Sequence, residues 1–394
     1  MIKHRPLMES FKITNHHLPP SPWLGESVLP VLETFSSRRG KMTVLELSNC
    51  GLSSGDISSL TKFLARNETL TLLNISRNNI ESVDTVKDLA KAIKKHPSLC
   101  IVNLAYCSLG GGSSDALEKI LAACKTCDAL EIGHTDFTPE CVAVVTKFLR
   151  KKHSLSEFSL KGAIVDSDNK ALLTDAITKN KSITKLCLHS NSLQLPGIIR
   201  NNKKIMNSFS RLTHLDMSFN KLPVQGAKVL AKLLENEDCA LVTLVLSKNK
   251  LTTKGANALL PALKDNTTLK TLDLSHNWLS DGVADVVIDL LKNNSTLTSF
   301  DLSGNKLLKA VRKERTADRW YWRRCVARRD GARFMIMANA LFDTTSLDAI
   351  ANSNHTCAVL TSGKNVADFY EETIRKVRTR ISCQSLIMLF IQMA

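Results

Sequence analysis

The chain has 394 residues, of which 43% are hydrophobic and 23% are charged. This composition excludes a wholly disordered chain, a collagen-like chain and a bundle of membrane helices. Its 53 Lys and Arg outnumber its 37 Asp and Glu and give a net charge of +16, which favours acidic partners over basic ones.

The N-terminal sequence MIKHRPLMESFKIT has no apolar run long enough for the core of a signal peptide. The eleven cysteines are irregularly spaced, which fits reduced thiols better than a disulfide framework. These features predict an intracellular protein of the cytoplasm, with the nucleus left open and with no membrane span.

From residue 42 onward the chain repeats the motif L-x-x-L-x-L-x-x-N/C-x-L, whose eleven positions we number from the first Leu. Position four recurs every 28 or 29 residues, as from Leu45 to Leu73 and from Leu73 to Val102. The ten position-four residues are Leu45, Leu73, Val102, Leu130, Phe158, Leu186, Leu215, Leu244, Leu272 and Phe300. A period this narrow identifies a repeat protein.

Segments with helical spacing of apolar residues separate the motifs, so each repeat is predicted to be one strand followed by one helix. Strand–helix units that stack in one direction need a parallel sheet with right-handed crossovers. Neighbouring strands lie about 4.8 Å apart and packed helices about 8–10 Å apart, so the stack must bend. The predicted fold is α/β: a curved solenoid, or horseshoe, with parallel strands on the concave face and helices on the convex face.

We predict four segments. Residues 1–41 are a degenerate N-terminal capping repeat, in which Phe11 and Ile13 take the strand positions and the stretch from Glu26 to Ser36 is amphipathic. Residues 42–307 hold the ten repeats, and 308–330 are a basic, aromatic insertion. Residues 331–394 are a degenerate final repeat, with Leu347 and Ile350 at positions one and four, and a C-terminal cap or tail.

Position nine is expected to carry an Asn whose side chain hydrogen-bonds backbone groups at the turn between repeats. It reads Cys50, Asn78, Cys107, Thr135, Ala163, Asn191, Asn220, Asn249, Asn277 and Asn305. Ala163 cannot form hydrogen bonds through its side chain. We therefore predict that the array is least stable at the fourth and fifth repeats, which we call the seam. The cause is either sequence drift or a local change of curvature.

The units LDMSFNKL (Leu215 to Leu222), LDLSHNWL (Leu272 to Leu279) and FDLSGNKL (Phe300 to Leu307) closely resemble the consensus of the ribonuclease-inhibitor-like leucine-rich repeat family. That family includes the repeat regions of NOD-like receptors and of Ran GTPase-activating proteins. The resemblance implies the horseshoe fold and a binding role for the concave face. No P-loop motif is present, so the nucleotide-binding module of a NOD-like receptor is not expected in these residues.

No chemistry beyond binding has positive support in the sequence. Cys124 and Cys127 have C-x-x-C spacing, but Cys127 falls on the buried position one, so we interpret the pair as structural. Gly110 to Gly112 precede a helix without the Lys-Ser/Thr ending of a P-loop and are interpreted as a permissive turn. The histidines are dispersed. We therefore predict no enzymatic activity, no cofactor and no metal site.

A partner is expected on the concave face, where positions three, five and seven of each strand point, and on position eight at the strand exit. Aromatic and charged residues that depart from the consensus are the best candidates for interface anchors. The predicted partner-binding residues are Arg77, Tyr106, His134, Lys161, Lys185, His189, His214, Asp216, Phe219, Lys248 and His276.

The insertion holds nine basic residues and two acidic ones between Leu308 and Arg329, a net charge of +7 from nine minus two. We predict an arm for acidic partners formed by Arg312, Arg315, Arg319, Trp320, Trp322, Arg323 and Arg324. The alternative is that the segment is an unselected insertion or retained non-coding sequence.

The predicted function is that of a non-catalytic scaffold or recognition protein, which binds an unknown, acidic protein through the concave repeat face. One alternative is a regulator of a small GTPase, because Arg77-Asn78-Asn79 lies in an early repeat, where Ran GTPase activators place catalytic contacts. The other is binding of nucleic acid through the basic insertion.

Overall fold

The computed structural model describes residues 10–14, 42–133, 137–151, 154–162, 167–191, 208–306, 358–361 and 364–365. The chain forms two compact units. The first comprises Met1–Leu193 and Gly197–Asn220, and the second comprises Gln194–Pro196 and Lys221–Ala394.

In the first unit, strands and helices alternate from residue 44 to residue 187, and each strand pairs in parallel with the next. The strands are β1 (Ser10–Thr14), β2 (Val44–Ser48), β3 (Leu72–Asn74), β4 (Ile101–Asn103), β5 (Ala129–Ile132), β6 (Glu157–Leu160), β7 (Lys185–Cys187) and β8 (His214–Asp216). The helices are α1 (Ser54–Arg66), α2 (Val83–Lys95), α3 (Ser114–Ala123), α4 (Pro139–Leu149) and α5 (Ser167–Lys179).

The second unit continues the alternation with α6 (Val224–Leu234), β9 (Thr243–Val245), α7 (Thr252–Leu259), β10 (Thr271–Asp273), α8 (Ala284–Asn293) and β11 (Ser299–Asp301). Strands β9, β10 and β11 pair in parallel, and β11 pairs in parallel with β12 (Ala358–Thr361). Strand β13 (Lys364–Asn365) turns back and pairs with β12 in antiparallel fashion. The strand–turn–helix repeats of both units confirm the predicted α/β class.

The register of the strands confirms the alignment of the repeats. Leu45 stands opposite Leu73, Leu73 opposite Val102 and Leu272 opposite Phe300. The position-four side chains are almost completely buried, because each packs against the same position in the next repeat. The core is thus a stack of aliphatic layers, as the low aromatic content of the chain requires.

Local signals in the sequence explain where the helices begin. Ser53 precedes α1 and closes a capping box with Asp56: the Asp56 amide donates to Ser53 Oγ at 3.2 Å, and the Ser53 amide donates to Asp56 Oδ2 at 2.9 Å. Ser82, Ser113 and Thr138 cap α2, α3 and α4 in the same way, each through one side-chain oxygen.

The hydrogen bonds predicted for position nine, which we call the position-nine ladder, form at each Asn that the structure describes at this position. Asn78 Oδ1 accepts the amides of Cys50 and Leu52 at 3.0 and 3.1 Å, and Asn78 Nδ2 donates to the carbonyls of Leu47 and Ile75, both at 2.8 Å. One buried side chain therefore satisfies backbone groups of two repeats. Cys107 keeps part of this role, because its thiol donates to the carbonyl of Ile75 at 3.1 Å.

A second ladder lies where the helices end, and we did not predict it from the sequence. Asn180 Nδ2 donates to the carbonyl of Leu149 in the preceding helix at 3.0 Å, and its Oδ1 accepts the amide of Ile183 at 3.0 Å. Asn266 and Asn294 repeat this geometry in the second unit. These side chains satisfy carbonyls that the C-terminus of a helix leaves without an intrahelical partner.

The last parallel strand is not where the sequence placed it. Val359, not Ile350, stands opposite Phe300. Ile350 is followed by Ala-Asn-Ser-Asn, which are turn formers, whereas Val359-Leu360-Thr361 has the composition of a strand. The final strand therefore begins eight residues after Ile350, at Ala358.

Several predictions fall outside the described residues. They are the helix of the capping repeat, the seam at Thr135 and Ala163, and the insertion with its arm of Arg312, Arg315, Arg319, Trp320, Trp322, Arg323 and Arg324. For the capping repeat, the structure shows that Phe11 in β1 stands opposite Leu45 in β2, in the register of the array. The boundaries of the four segments stay predictions.

Candidate functional site

The candidate site of the first unit is the strand face, which we define as positions three, five, seven and eight of its repeats. Along the strands the position-four side chain is buried, while its neighbours at positions three and five are half-buried or exposed. Position seven differs from the prediction. The small residues Ser76, Ala105 and Ser218 at this position are buried under their neighbours, whereas Ser48 and the longer Lys161 and His189 are half-buried.

Position eight is held in a left-handed backbone conformation in each repeat that the structure describes. The φ angles of Arg77, Tyr106 and Phe219 are 60°, 58° and 58°. Bulky residues rarely adopt positive φ, and they persist there only where the surrounding structure enforces it. The turn lifts these side chains out of the strand: Arg77 and Phe219 are exposed, and Tyr106 is half-buried.

Two neighbouring repeats combine their position-eight side chains. The Arg77 guanidinium carbon lies 5.1 Å from the centroid of the Tyr106 ring. A guanidinium at this distance is attracted by the electrons of the ring, by about 0.5–1 kcal/mol at an exposed site. The pair therefore presents one cation and one aromatic ring in a fixed arrangement.

A second cluster joins β7 and β8 at their exits. His189 Nδ1 lies 2.7 Å from Ser218 Oγ, and Ser218 Oγ donates to Asp216 Oδ1 at 2.6 Å. Because the Ser218 hydroxyl gives its hydrogen to Asp216, the hydrogen between His189 and Ser218 comes from His189 Nδ1. The His189 ring also lies 4.7 Å from the Phe219 ring, so the network orients an exposed aromatic side chain.

The order of these groups argues against a nucleophilic triad. In such a triad the His lies between the Ser and the Asp, and removes the proton of the Ser hydroxyl. Here Ser218 lies between His189 and Asp216 and is itself buried. The nearby Cys187 is not an activated thiol either: burial, followed by the charge of Asp216, raises the pKa of Cys187 to about 11.

Lysines on the strand face lie beside glutamates of the adjacent repeat. Lys161 forms an ion pair with Glu131, and Lys185 forms one with Glu157. Burial alone would lower the pKa of Lys161, but the hydrogen bond and the charge of Glu131 outweigh burial and raise it. The strand face of the first unit therefore carries cations whose charge is locally compensated.

Two further residues of the first unit were predicted to bind a partner, His214 and His134, and the structure describes only His214. His214 in β8 is half-buried, and its Nδ1 lies 2.9 Å from Thr213 Oγ1. Burial, with a smaller contribution from the charge of Lys185, lowers the pKa of His214. His134 lies outside the described residues.

In the second unit, Lys248 and His276 occupy position eight and are exposed, with φ angles of 52° and 55°. The sequence analysis missed the most exposed large apolar side chain of the described residues, Trp278, which is 52% exposed. Trp278 stands at position ten, between the lysines at the same position of the adjacent repeats, Lys250 and Lys306. The signal was available, because position ten separates two buried positions and must point outward.

Cys124 and Cys127 are both buried, in agreement with their structural interpretation. None of the eight cysteines that the structure describes forms a disulfide bond. Within the described ranges, no group of three His, Cys, Asp or Glu side chains is arranged to hold a metal ion, and no helix is long and apolar enough to cross a membrane.

A family model described as "Leucine Rich repeat" matches residues 66–84, 211–231, 265–282 and 293–308. The repeats of this chain are leucine-rich repeats. The chain is similar to NACHT, LRR and PYD domains-containing protein 4C of Mus musculus, with 25% identity over 42% of this chain and 17% of that protein. It is also similar to NACHT, LRR and PYD domains-containing protein 14 of Mus musculus, with 29% identity over 52% of this chain and 18% of that protein.

These relatives confirm the resemblance to the repeats of NOD-like receptors, and the chain spans less than a fifth of their length. Among solved structures, an internalin from Listeria monocytogenes matches with a TM-score of 0.36 and 15% identity, over 69% of this chain and 76% of that one.

Proposed function

We propose that the chain is a non-catalytic recognition protein that binds another protein through the strand face of the first unit. The observation that carries this proposal is the cluster at the exits of β7 and β8, where hydrogen bonds and a ring contact hold His189 and Phe219 in place. An aromatic side chain that is 41% exposed and already oriented loses little conformational entropy on binding.

The pair of Arg77 and Tyr106 supports the same proposal at the exits of β3 and β4. Arg and Tyr are enriched among the residues that contribute most to binding at interfaces. The predicted partner-binding residues on the strands, Lys161 and Lys185, then set orientation rather than affinity, because each already has a glutamate partner. A partner of mixed charge fits this face.

We also propose that the protein acts inside the cell. The irregular spacing of the eleven cysteines supports this location, since disulfide frameworks are typical of oxidising compartments. The similarity to NACHT, LRR and PYD proteins supports a role in recognition, while the activities of those much longer proteins are not carried over.

The test starts with affinity capture from native lysate, followed by titration of the captured protein against purified variants. We expect the double variant Tyr106→Ala with Phe219→Ala to weaken binding about tenfold or more, at nearly unchanged melting temperature. The matched control is Leu172→Ala on α5, which removes a side chain of similar exposure, 44%, from a helix of the same unit. Equal losses in the two variants would disprove a site on the strand face.

The two alternative functions stay predictions. For a regulator of a small GTPase, the side chain of Asn78 is engaged in the position-nine ladder, and Asn79 Nδ2 donates to Glu81 Oε1 at 2.6 Å. Within the described contacts, the Arg77 side chain contacts only the Tyr106 ring and is the group of that motif that can reach a partner. A single-turnover GTP hydrolysis assay with small GTPases tests it directly. Binding of nucleic acid depends on the insertion at 308–330, and a salt titration with single-stranded RNA and DNA tests it.

A further inference from the structure

The turns of the second unit present a cationic, aromatic surface, formed by Lys250, Trp278 and Lys306 at position ten of three successive repeats. The ammonium nitrogens of Lys250 and Lys306 lie 5.4 and 5.9 Å from the centroid of the Trp278 indole. Neither ammonium group forms an ion pair with a carboxylate in the part of the chain that the structure describes.

The backbone fixes Trp278 in its exposed position. The residues on either side, Asn277 and Leu279, are completely buried, and their amides donate to Asn305 Oδ1 at 2.7 and 3.0 Å. Trp278 itself has a φ of 63°. A large aromatic residue is strained in this left-handed conformation, and such strain is concentrated at functional sites. Packing does not explain the tryptophan, since half of it faces solvent.

We propose that this surface binds an acidic peptide segment of a partner protein, with an apolar or aromatic residue of the segment on the indole. Two ammonium groups beside an exposed ring match carboxylates on both sides of an apolar side chain. The surface is separate from the strand face of the first unit, so the proposal does not rest on the function proposed above.

The spacing of the repeats defines the segment. Lys250 and Lys306 belong to repeats that are two apart, which places their backbones roughly 10 Å apart at a strand spacing of about 4.8 Å. In an extended peptide every second side chain points to the same side, and residues four apart are separated by about 13 Å. The flexible lysine side chains span this distance, so the bound segment reads acidic-x-apolar-x-acidic, with both acids and the apolar residue on one side.

The adjoining strands favour a short peptide over a nucleic acid. Position five of β10 and β11 carries Asp273 and Asp301, whose carboxylates accept the amides of Ser275 and Ser303 at 2.8 and 2.7 Å. A nucleic acid carries a phosphate at every nucleotide and needs a continuous track of cations. The repeats that carry Trp278 and Lys306 therefore also carry one carboxylate each, which disfavours a long polyanion more than a segment with two carboxylates.

The experiment uses the full chain and a bead-bound pool of decapeptides built from Asp, Glu, Phe, Leu, Ser and Gly. We expect the chain to enrich peptides with acids four residues apart and Phe or Leu midway between them, over scrambled peptides of equal composition. The double variant Lys250→Glu with Lys306→Glu should reduce the affinity for an enriched peptide about tenfold or more. The matched control, Lys264→Glu with Lys292→Glu, makes the same charge change at exposed lysines elsewhere in the unit and should leave the affinity unchanged.

Trp278→Gly separates binding from folding. Glycine adopts a positive φ without strain, so this variant should be at least as stable as the natural chain and yet bind the enriched peptide about tenfold more weakly. Retained binding by Trp278→Gly, equal loss in the control variant or the absence of any enriched peptide would each overturn the proposal. Tighter binding of single-stranded oligothymidylate than of the peptide, abolished by the same variants, would overturn it in favour of nucleic acid.

Discussion

On the strands of the first unit, lysines lie beside glutamates of the neighbouring repeat, whereas in the turns of the second unit lysines lie beside an exposed tryptophan. Lys161 and Lys185 pair with Glu131 and Glu157. Lys250 and Lys306 flank Trp278 instead. The same eleven-residue motif thus presents compensated charge at its strand positions and uncompensated charge at position ten.

The difference comes from geometry. Lys185 and Glu157 occupy the same strand position of adjacent repeats, where side chains are held about 4.8 Å apart, and Lys161 at position seven reaches Glu131 at position five of the preceding repeat. Position ten follows the left-handed turn and points away from the strands, where its neighbours are the same position of the next repeats. The composition of that column decides what it presents, and here the column reads Lys, Trp, Lys.

The largest expected effect concerns the position-nine ladder, which supports the repeats that carry both surfaces. Asn78→Ala in the first unit and Asn249→Ala in the second should each lower the free energy of unfolding by about 1–3 kcal/mol, because buried backbone groups lose their hydrogen bonds. Asn249 Oδ1 accepts the amide of Leu222 at 2.8 Å, and its Nδ2 donates to the carbonyl of Leu246 at 2.9 Å. Urea unfolding measures the change.

The control for the first unit is the adjacent Asn79→Ala, because Asn79 is exposed and should change the stability by less than about 0.5 kcal/mol. If Asn78→Ala lowered the free energy of unfolding no more than Asn79→Ala, the position-nine ladder would not stabilise the repeats that carry the two surfaces.

A glycine in each unit gives the next comparison. Gly51 and Gly304 have φ angles of 65° and 66°, but a Cβ on Gly304 would lie 2.4 Å from the His276 ring, whereas a Cβ on Gly51 meets nothing within 4 Å. Both changes to Ala should cost about 1 kcal/mol through the positive φ, and Gly304→Ala should cost about 1 kcal/mol more. A His276→Ala background should remove the additional cost; its persistence there would show that the imidazole is not the obstacle.

The ion pairs of the first unit differ in exposure, and their coupling should follow it. The side chains of Lys161 and Glu131 are 28% and 25% exposed, against 46% and 43% for Lys185 and Glu157. Double-mutant cycles should give a coupling of about 0.5–1 kcal/mol for the first pair and less for the second. Because the pKa of Lys161 is raised in the folded state, its contribution is present below about pH 10.5 and is lost as the pH rises through the folded value. Equal coupling in both pairs would contradict this account.

The smallest effect distinguishes the helix-end ladders of the two units. One repeat of the first unit has His96 at the position of Asn180, Asn266 and Asn294, and the His96 Nδ1 accepts the amide of Ser98 at 3.3 Å. Burial lowers the pKa of His96, despite an opposing contribution from the backbone of Asn67. A lowered pKa favours the neutral form, so the His96 contribution is present above about pH 6.5 and is lost on acidification.

We expect His96→Asn to keep the contact with Ser98 and to remove part of the acid sensitivity of the first unit. Urea unfolding at pH 8 and pH 5 measures the change, which should be smaller than that of Asn249→Ala. Identical pH dependence in the two proteins would show that His96 is not an acid-sensitive position.

The spacing of Leu45, Leu73 and their counterparts was sufficient to predict the strands, their register and the alternation of helices. Burial of one face against identical neighbours permits a single alignment, because a shift of one residue would expose every Leu. The same reasoning failed for the last strand, where Ile350 matched the motif but Val359 pairs with β11. A single weak match has no array around it to fix the alignment.

The sequence predicted which residues form the strand face, but it did not predict the contacts between them. The sequence placed His189, Asp216 and Phe219 on one surface, but it could not show that Ser218 joins His189 to Asp216, since that link runs between repeats. It also could not show that Lys161 and Lys185 are neutralised by Glu131 and Glu157, because the ion pairs depend on how far each side chain extends across the sheet.

The sequence by itself determined the repeat, its α/β class, the aliphatic core and the ladder at position nine, because these follow from a period that recurs ten times. Only the tertiary structure decided which side chains meet across repeats. Trp278 shows the reason: its place between two buried positions predicts exposure, but its contact with Lys250 and Lys306 depends on a backbone turn with a φ of 63° between two completely buried neighbours. That turn is enforced by Asn305 in the following repeat, 27 positions further along the chain.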